Sequence, residues 1–197
     1  MLLVLVIVLT AAASCAALAG EDQGASLRTQ DGFSLAFDAV RGDLVTTAPG
    51  GFSVRDFAAK SRFVSPAGSL QAQPDGSLRR VATVDPLKLQ LTTGYRVAGD
   101  AIRIDGEILD LTGKDRAVTV RFAYPVDAVA WEWHDDQGSS RAIEAGEQYH
   151  QLVDSGAGAT GTASRWPLAC ISGSNEGLAL GAPLNLPRLW RFGRVRC

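Results

Sequence analysis

Cysteine and histidine are scarce in this chain of 197 residues, and lysine is limited to Lys60, Lys88 and Lys114. Three cysteines are too few for the disulfide-dense scaffold of a small secreted domain, and two histidines without close spacing form no zinc motif. The net charge of −2 gives no electrostatic basis for binding nucleic acid or an anionic membrane surface. We therefore predict no cofactor, no metal ion and no nucleic-acid partner, and the alternative for a metal site is His134, Asp136 and the distant His150 as ligands.

Helical periodicity is also missing, because no long window beyond the N-terminal segment has apolar side chains at i, i+3, i+4 and i+7. Apolar and polar residues alternate instead, and 21 glycines and 8 prolines separate the alternating runs. The predicted strands are residues 33–38, 44–47, 81–84, 87–92, 101–111, 117–122, 129–134, 141–145, 149–153, 168–172, 178–181 and 189–192. Many short strands between turns predict one all-β domain over residues 20–197, folded as an antiparallel β-sandwich.

The clearest hairpin signal lies in the middle of the chain. Residues 101–111 and 117–122 are rich in β-branched side chains, and Thr112-Gly113-Lys114-Asp115 between them has the composition of a turn. Two such runs around a short glycine-containing loop are typical of a β-hairpin. We therefore expect these two strands to pair with each other.

The N-terminus has the pattern of a signal peptide. Residues 1–19 carry no charged side chain, residues 2–9 are an unbroken apolar run, and Ala17-Leu18-Ala19 resembles a cleavage site. The run is shorter than the roughly 20 residues that a membrane-spanning helix needs. We predict a helical signal peptide over residues 1–19 and a secreted or periplasmic protein. The alternatives are a retained membrane anchor and a lipoprotein modified at Cys15.

The densest cluster of chemical groups is Trp131-Glu132-Trp133-His134-Asp135-Asp136. In a strand, the two tryptophans and Asp135 face one side, and Glu132, His134 and Asp136 face the other. Indole rings stack on the C–H faces of sugars, and carboxylates accept hydrogen bonds from sugar hydroxyls. The alternative is that both tryptophans fill the core. The residues proposed to contact carbohydrate are Trp131, Trp133, Trp166, Trp190, Glu132, Asp135 and Asp136.

A catalytic function needs a different arrangement of the same acids. Glycoside hydrolysis uses two carboxyl groups on either side of the scissile bond, about 5–5.5 Å or 6.5–9.5 Å apart. The candidates for such a pair are Glu132, Asp135, Asp136, Glu144 and Glu147. Which of them share a cleft is not visible in the sequence, so the catalytic residues remain unassigned.

Four stretches together resemble the N-terminal β-sandwich of large secreted bacterial glycoside hydrolases, a module of the galactose-mutarotase-like supersandwich type. They are residues 31–38 with 42–44, residues 51–57, residues 110–120, and residues 164–173 with 177–183 and 187–192. The resemblance implies a scaffold that packs against a separate catalytic domain, and it transfers no catalytic residue. A relative would continue into that domain where this chain ends, so we expect a product truncated before it.

These observations predict a non-catalytic carbohydrate-associated domain, either an accessory domain or a sugar-binding module of a secreted glycoside hydrolase. Its expected partners are carbohydrate and a missing or separate catalytic domain, with no membrane contact beyond the leader. Two alternatives stay open. One is a stand-alone sugar-active enzyme that uses a carboxylate pair, and the other is a structural adaptor of the cell envelope.

Overall fold

The computed structural model describes residues 2–8, 24–46, 48, 50–59, 61–114, 116–136, 138–150, 168–182 and 193–194. Within these ranges there is no α-helix, and Asp85–Leu87 forms one 3₁₀ turn. None of the helical segments in this part of the chain is long and apolar enough to cross a bilayer. The all-β prediction is confirmed.

The strands are short and all their pairings are antiparallel. In chain order they are β1 (Leu2–Val8), β2 (Ser26–Arg28), β3 (Ser34–Ala36), β4 (Gly51–Asp56), β5 (Ala67–Ala72), β6 (Leu78–Val84), β7 (Leu89–Ala98), β8 (Ala101–Asp110), β9 (Val118–Ala123), β10 (Glu132–His134), β11 (Ser140–Ala142), β12 (Tyr149–His150), β13 (Leu168–Ser172), β14 (Gly177–Gly181) and β15 (Gly193–Arg194). Nine of them form one sheet in the order β11-β10-β13-β14-β1-β8-β7-β6-β5. The remaining strands form three two-stranded sheets, β2–β3, β4–β9 and β12–β15.

The predicted hairpin between residues 101–111 and 117–122 is wrong. β8 pairs with β7 on one side and with β1 on the other, so neither of its edges is free for β9. The turn near Gly113, whose φ is +69°, instead carries the chain out of the large sheet, and β9 pairs with β4. The tight hairpin is β7–β8, in which Ala98 pairs with Ala101 around Gly99, a glycine with φ of +65°.

The main hydrophobic core is formed by side chains of β6, β7 and β8 of the large sheet together with side chains of the two small sheets β2–β3 and β4–β9. Alternate residues of β6, β7 and β8 face it, which is the period-2 pattern expected of half-buried strands. Its buried members are Leu27, Leu35, Phe37, Phe52, Val54, Leu78, Val84, Leu89, Leu91, Tyr95, Ile102, Ile104 and Ile108. The predicted strands at residues 33–38, 81–84 and 101–111 are thereby confirmed, whereas at residues 44–47 only Leu44 forms an isolated bridge, to Phe37, and Thr47 lies outside the described residues.

Two arginines tie the loops to the sheets. Arg80 is 3% exposed, and its guanidinium donates to Asp43 Oδ1 at 2.5 Å, to the Pro66 carbonyl at 2.9 Å and to the Arg41 carbonyl at 3.1 Å. Arg116 bonds to Asp110 Oδ2 at 2.6 Å and also to the Leu87 carbonyl. Because a buried guanidinium is costly without acceptors, these contacts fix where the loops lie on the sheets.

The N-terminal residues described by the structure are extended. Leu2–Val8 pairs over its whole length with β8, and Val6, Ile7 and Val8 also pair with β14. The predicted leader helix covers this segment and residues 9–19, which lie outside the described residues. Signal peptides act on the nascent chain before it folds, so export and cleavage stay predictions.

Candidate functional site

Strand β10 divides the Trp131–Asp136 cluster between two environments. Trp133 pairs with Ile171 of β13, and both side chains are buried, so this face of the strand belongs to the interior. Side chains alternate along a strand, and paired residues share a face. Glu132 and His134 therefore lie on the opposite face, away from the tryptophan with which the sequence groups them.

Trp133 is the centre of a second hydrophobic core. It is 2% exposed and packs in a cluster with Ala128, Ile143, Tyr149 and Ile171, and its ring centroid lies 6.1 Å from that of Tyr149. A ring enclosed in this way has no free face for a sugar to stack on. The structure therefore favours the alternative in which Trp133 fills the core.

The two aspartates after β10 lie near the surface and form hydrogen bonds with other groups of the protein. Trp133 Nε1 donates to Asp135 Oδ1 at 3.2 Å, and Arg141 holds the same carboxylate through two contacts of 2.8 and 3.0 Å. Asp136 Oδ1 accepts hydrogen bonds from the backbone N–H groups of Gly138 and Ser139 at 2.7 and 2.8 Å. Both carboxylates thus organise the turn between β10 and β11, which is the usual role of aspartate at such a position.

Trp131 occupies an intermediate position. It is partly buried against the Trp133 cluster, and a Cβ added at Gly173 would lie 3.1 Å from Trp131 Cε2 and 3.2 Å from Nε1. Its neighbour Ala130 has φ of +68°, a backbone conformation that turns the chain just before β10. The indole therefore lies flat against backbone at Gly173 and keeps part of its surface exposed.

A set of polar side chains covers the other face of β10, β11 and β13. Its members are Glu132, His134, Ser140, Cys170 and Ser172, and we call it the polar face. Ser140 Oγ donates to Glu132 Oε2 at 2.7 Å, and His134 Nε2 lies within hydrogen-bond distance of Ser172 Oγ at 2.8 Å. Glu132 and Ser140 are exposed, and the other three side chains are partly buried.

The register places Cys170 directly opposite His134. Burial of the Cys170 thiol raises its pKa, because the low-dielectric surroundings disfavour the thiolate. A protonated thiol is a poor nucleophile, so Cys170 acts here as a small apolar side chain. What the polar face presents to solvent is a carboxylate, an imidazole and two hydroxyls, which donate and accept hydrogen bonds.

The other predicted residues do not extend this set. Trp166 and Trp190 lie outside the described residues, as does most of the predicted strand at residues 149–153. Glu144 and Glu147 are exposed in the segment between β11 and β12. Within the described ranges, no three or more His, Cys, Asp and Glu side chains are grouped so that they could hold a metal ion.

Sequence reasoning missed Ser140 and Ser172 as members of the site. Serine is frequent in the chain, and these two positions become relevant only because β11 and β13 pair on either side of β10. The sequence shows that Ser140 and Ser172 alternate with Arg141 and Ile171, but it does not show that β11 and β13 both pair with β10.

No protein-family model matches the chain, and no match was found among curated proteins or solved structures. The resemblance to the supersandwich modules of glycoside hydrolases therefore stays a prediction, carried by the residues quoted above.

Proposed function

We propose that this protein is a non-catalytic, carbohydrate-associated β-sandwich of the cell envelope or the secreted fraction. The observation that carries the proposal is the polar face, where Glu132 and His134 stand side by side on a sheet surface, each hydrogen-bonded to a serine. Carboxylate, imidazole and hydroxyl groups held in fixed positions match the alternating donors and acceptors of sugar hydroxyls. Trp131 at the same end of the sheet adds a partly exposed indole.

The sandwich itself is part of this proposal. The sheets β2–β3 and β4–β9 share one hydrophobic core with β6, β7 and β8 of the large sheet, which is how the two layers of a sandwich pack. A supersandwich of this kind serves in the proposed function as a rigid support for a binding surface or for a neighbouring catalytic domain.

The contacts of the acids favour binding over catalysis. Asp135 is ion-paired with Arg141, and Asp136 accepts two backbone hydrogen bonds, so two of the five candidate carboxylates are committed to local structure. Glu132 lies on the opposite face of β10 from Asp135. A glycosidase needs two carboxyl groups flanking one bond, and these two residues do not face each other.

The test is glycan-array binding by the full-length chain, followed by titration with the best ligand. The informative variants are Glu132→Gln and Ser172→Ala, which alter the polar face without removing a core side chain. Glu132→Gln replaces a charged acceptor with a neutral one, and Ser172→Ala removes a hydroxyl, so we expect each to lower affinity about tenfold. Glu107→Gln is the matched control, because Glu107 is an exposed glutamate on β8 of the same sheet.

Either of two results overturns the proposal. A cooperatively folded protein that binds no glycan is what the structural adaptor predicts. Binding that Glu132→Gln and Ser172→Ala leave unchanged places the sugar elsewhere and removes the polar face from the site.

A second candidate, an enzyme, is favoured by the 2.8 Å contact between His134 Nε2 and Ser172 Oγ. A hydroxyl within hydrogen-bond distance of an imidazole is the arrangement of a nucleophile and its base, and Glu132 lies on the same face. Hydrolysis of 4-nitrophenyl acetate that Ser172→Ala abolishes supports a serine nucleophile. Hydrolysis of 4-nitrophenyl glycosides that Glu132→Gln abolishes supports a carboxylate mechanism. With no turnover of either substrate class, this candidate is rejected.

A further inference from the structure

Two arginines on the outer face of the β4–β9 sheet share one aromatic ring. Arg55 Cζ lies 4.8 Å from the centroid of the Phe63 ring, and Arg121 Cζ lies 4.5 Å from the same centroid. Both positions alternate with core residues, since Val54 and Phe122 point into the hydrophobic core. The register pairs Arg121 with Ser53 and Arg55 with Thr119, so all four side chains lie on one face.

The ring is brought there by the path of the chain after β4. Val64 forms a bridge with Val54, through reciprocal backbone hydrogen bonds of 2.9 Å, and this places Phe63 beside Arg55. Guanidinium groups stack on aromatic faces through cation–π attraction, which holds the planar groups in position without adding a counter-charge. Phe63 thus positions two cations without neutralising either.

The charge of this pair is uncompensated within the described residues. Neither Arg55 nor Arg121 has a carboxylate within ion-pair distance there, whereas the buried Arg80 and the partly buried Arg116 each contact at least one. Since both guanidiniums lie within 5 Å of one centroid, their Cζ atoms are at most about 9 Å apart. Two like charges at that distance repel, and the pair keeps this repulsion in the absence of a counter-charge.

One of the donors is also buried without an acceptor. Arg55 Nε is closed to solvent and has no hydrogen-bond partner among the described residues. Arg121 Nε, in contrast, donates to Ser53 Oγ at 3.1 Å. Folding has removed water from the Arg55 N–H without replacing it, and buried charged donors are usually satisfied. An oxyanion beside the two guanidinium groups would supply the missing counter-charge, whereas Nε of Arg55 is closed to solvent and would stay without an acceptor.

We propose that Arg55, Arg121 and Phe63 form a binding site for an oxyanion group, either a free inorganic anion or a carboxylate carried by an acidic glycan. The guanidinium fork matches the oxygen spacing of phosphate, sulfate and carboxylate, and the partly buried Thr119 lies on the same face. The site is on a different sheet from the polar face and does not depend on it.

The test is isothermal titration calorimetry of the full-length chain with inorganic phosphate and with oligogalacturonate, at constant ionic strength. We expect binding that Arg55→Gln and Arg121→Gln each weaken at least tenfold. Phe63→Leu keeps both charges but removes the ring, so it should also weaken binding. Arg79→Gln is the matched control, because Arg79 is an exposed arginine on β6 with no ion pair in the described part of the chain.

The two probes distinguish the sources of the anion. Binding of phosphate alone assigns the site to a free ion, and tighter binding of oligogalacturonate assigns it to a glycan carboxylate. The proposal is overturned if neither probe binds, or if Arg79→Gln weakens binding as much as Arg121→Gln does. Thermal melts accompany each variant, and should Arg55→Gln not fold, the exposed Arg121 and the partly buried Phe63 still decide the outcome.

Discussion

Replacing Trp133 with alanine tests whether this residue is part of the core or part of a sugar site. The side chain is 2% exposed, packs against Ile171 and Tyr149, and donates one hydrogen bond to Asp135. Truncating a buried tryptophan to alanine costs about 3–5 kcal/mol through lost burial and the cavity that remains. Asp135 keeps its ion pair with Arg141, so the lost hydrogen bond adds little to this cost.

For a domain of this size, a loss of 1 kcal/mol lowers the melting temperature by about 2–4 °C, so Trp133→Ala should lower it by roughly 6–20 °C. Urea unfolding followed by far-ultraviolet circular dichroism gives the free energy directly and does not depend on tryptophan fluorescence. Trp131→Ala is the control, because that ring is only partly buried and should cost clearly less. A loss below about 1 kcal/mol for Trp133→Ala, or equal losses for both variants, would refute the assignment of Trp133 to the core.

Three further predictions concern charge and reactivity. Hydrogen bonds from the Thr112 hydroxyl and N–H lower the pKa of Asp110. The ionised carboxylate therefore stabilises the fold fully above the ordinary aspartate pKa, and this stabilisation is lost as the pH falls through the lowered pKa. Asp110→Asn should reduce the fall in the free energy of unfolding that urea unfolding measures between pH 7 and pH 2.5. Arg80→Ala should destabilise the fold by about 3 kcal/mol in the same assay, because two carbonyls lose their donor and Asp43 keeps only its 3.5 Å contact with Arg41. A loss below about 1 kcal/mol would contradict that role of Arg80. Burial raises the pKa of Cys170, so little of its thiol is ionised at pH 8. In a Cys15→Ser, Cys197→Ser variant, iodoacetamide at pH 8 should alkylate Cys170 several times more slowly than it alkylates free cysteine. An equal rate would show an accessible thiolate.

The positions of several strands could be predicted from alternating apolar and polar residues, but the partner of each strand could not. Residues 81–84 and 101–111 were predicted as strands from the alternation of apolar and polar residues, which depends only on the local sequence, and their side chains are buried alternately in the structure. The partner of β9 depends on which sheet edges are free, and one edge of β8 is occupied by β1, about 110 residues before β9 in the chain. The sequence correctly predicted a turn near Gly113, but it did not indicate with which strand β9 pairs after that turn.

In the candidate site, too, the sequence predicts which side chains share a face of a strand but not which of them are buried. The alternation of Glu132 and His134 against Trp133 is visible in the sequence, and the structure retains it. The burial of Trp133 and the partial exposure of Trp131 are not visible, because both are tryptophans at strand spacing and differ only in what packs on them. The arginine pair was equally hidden, since Phe63 reaches Arg55 and Arg121 only after β4 and β9 are paired.

Removal of residues 1–19 would take away β1, which lies in the middle of the nine-stranded sheet. On one side of β1 are β14, β13, β10 and β11, and on the other are β8, β7, β6 and β5. One stretch of chain cannot be both a leader that a peptidase discards and the strand that joins these two groups. Cleavage after residue 19 would convert the nine-stranded sheet into two sheets of four strands, with β8 and β14 as new open edges. Open edges recruit strands, so a processed protein would have to close that gap with another segment or another chain. The mass of the mature N-terminus therefore determines whether the protein is self-contained or completed by strand addition.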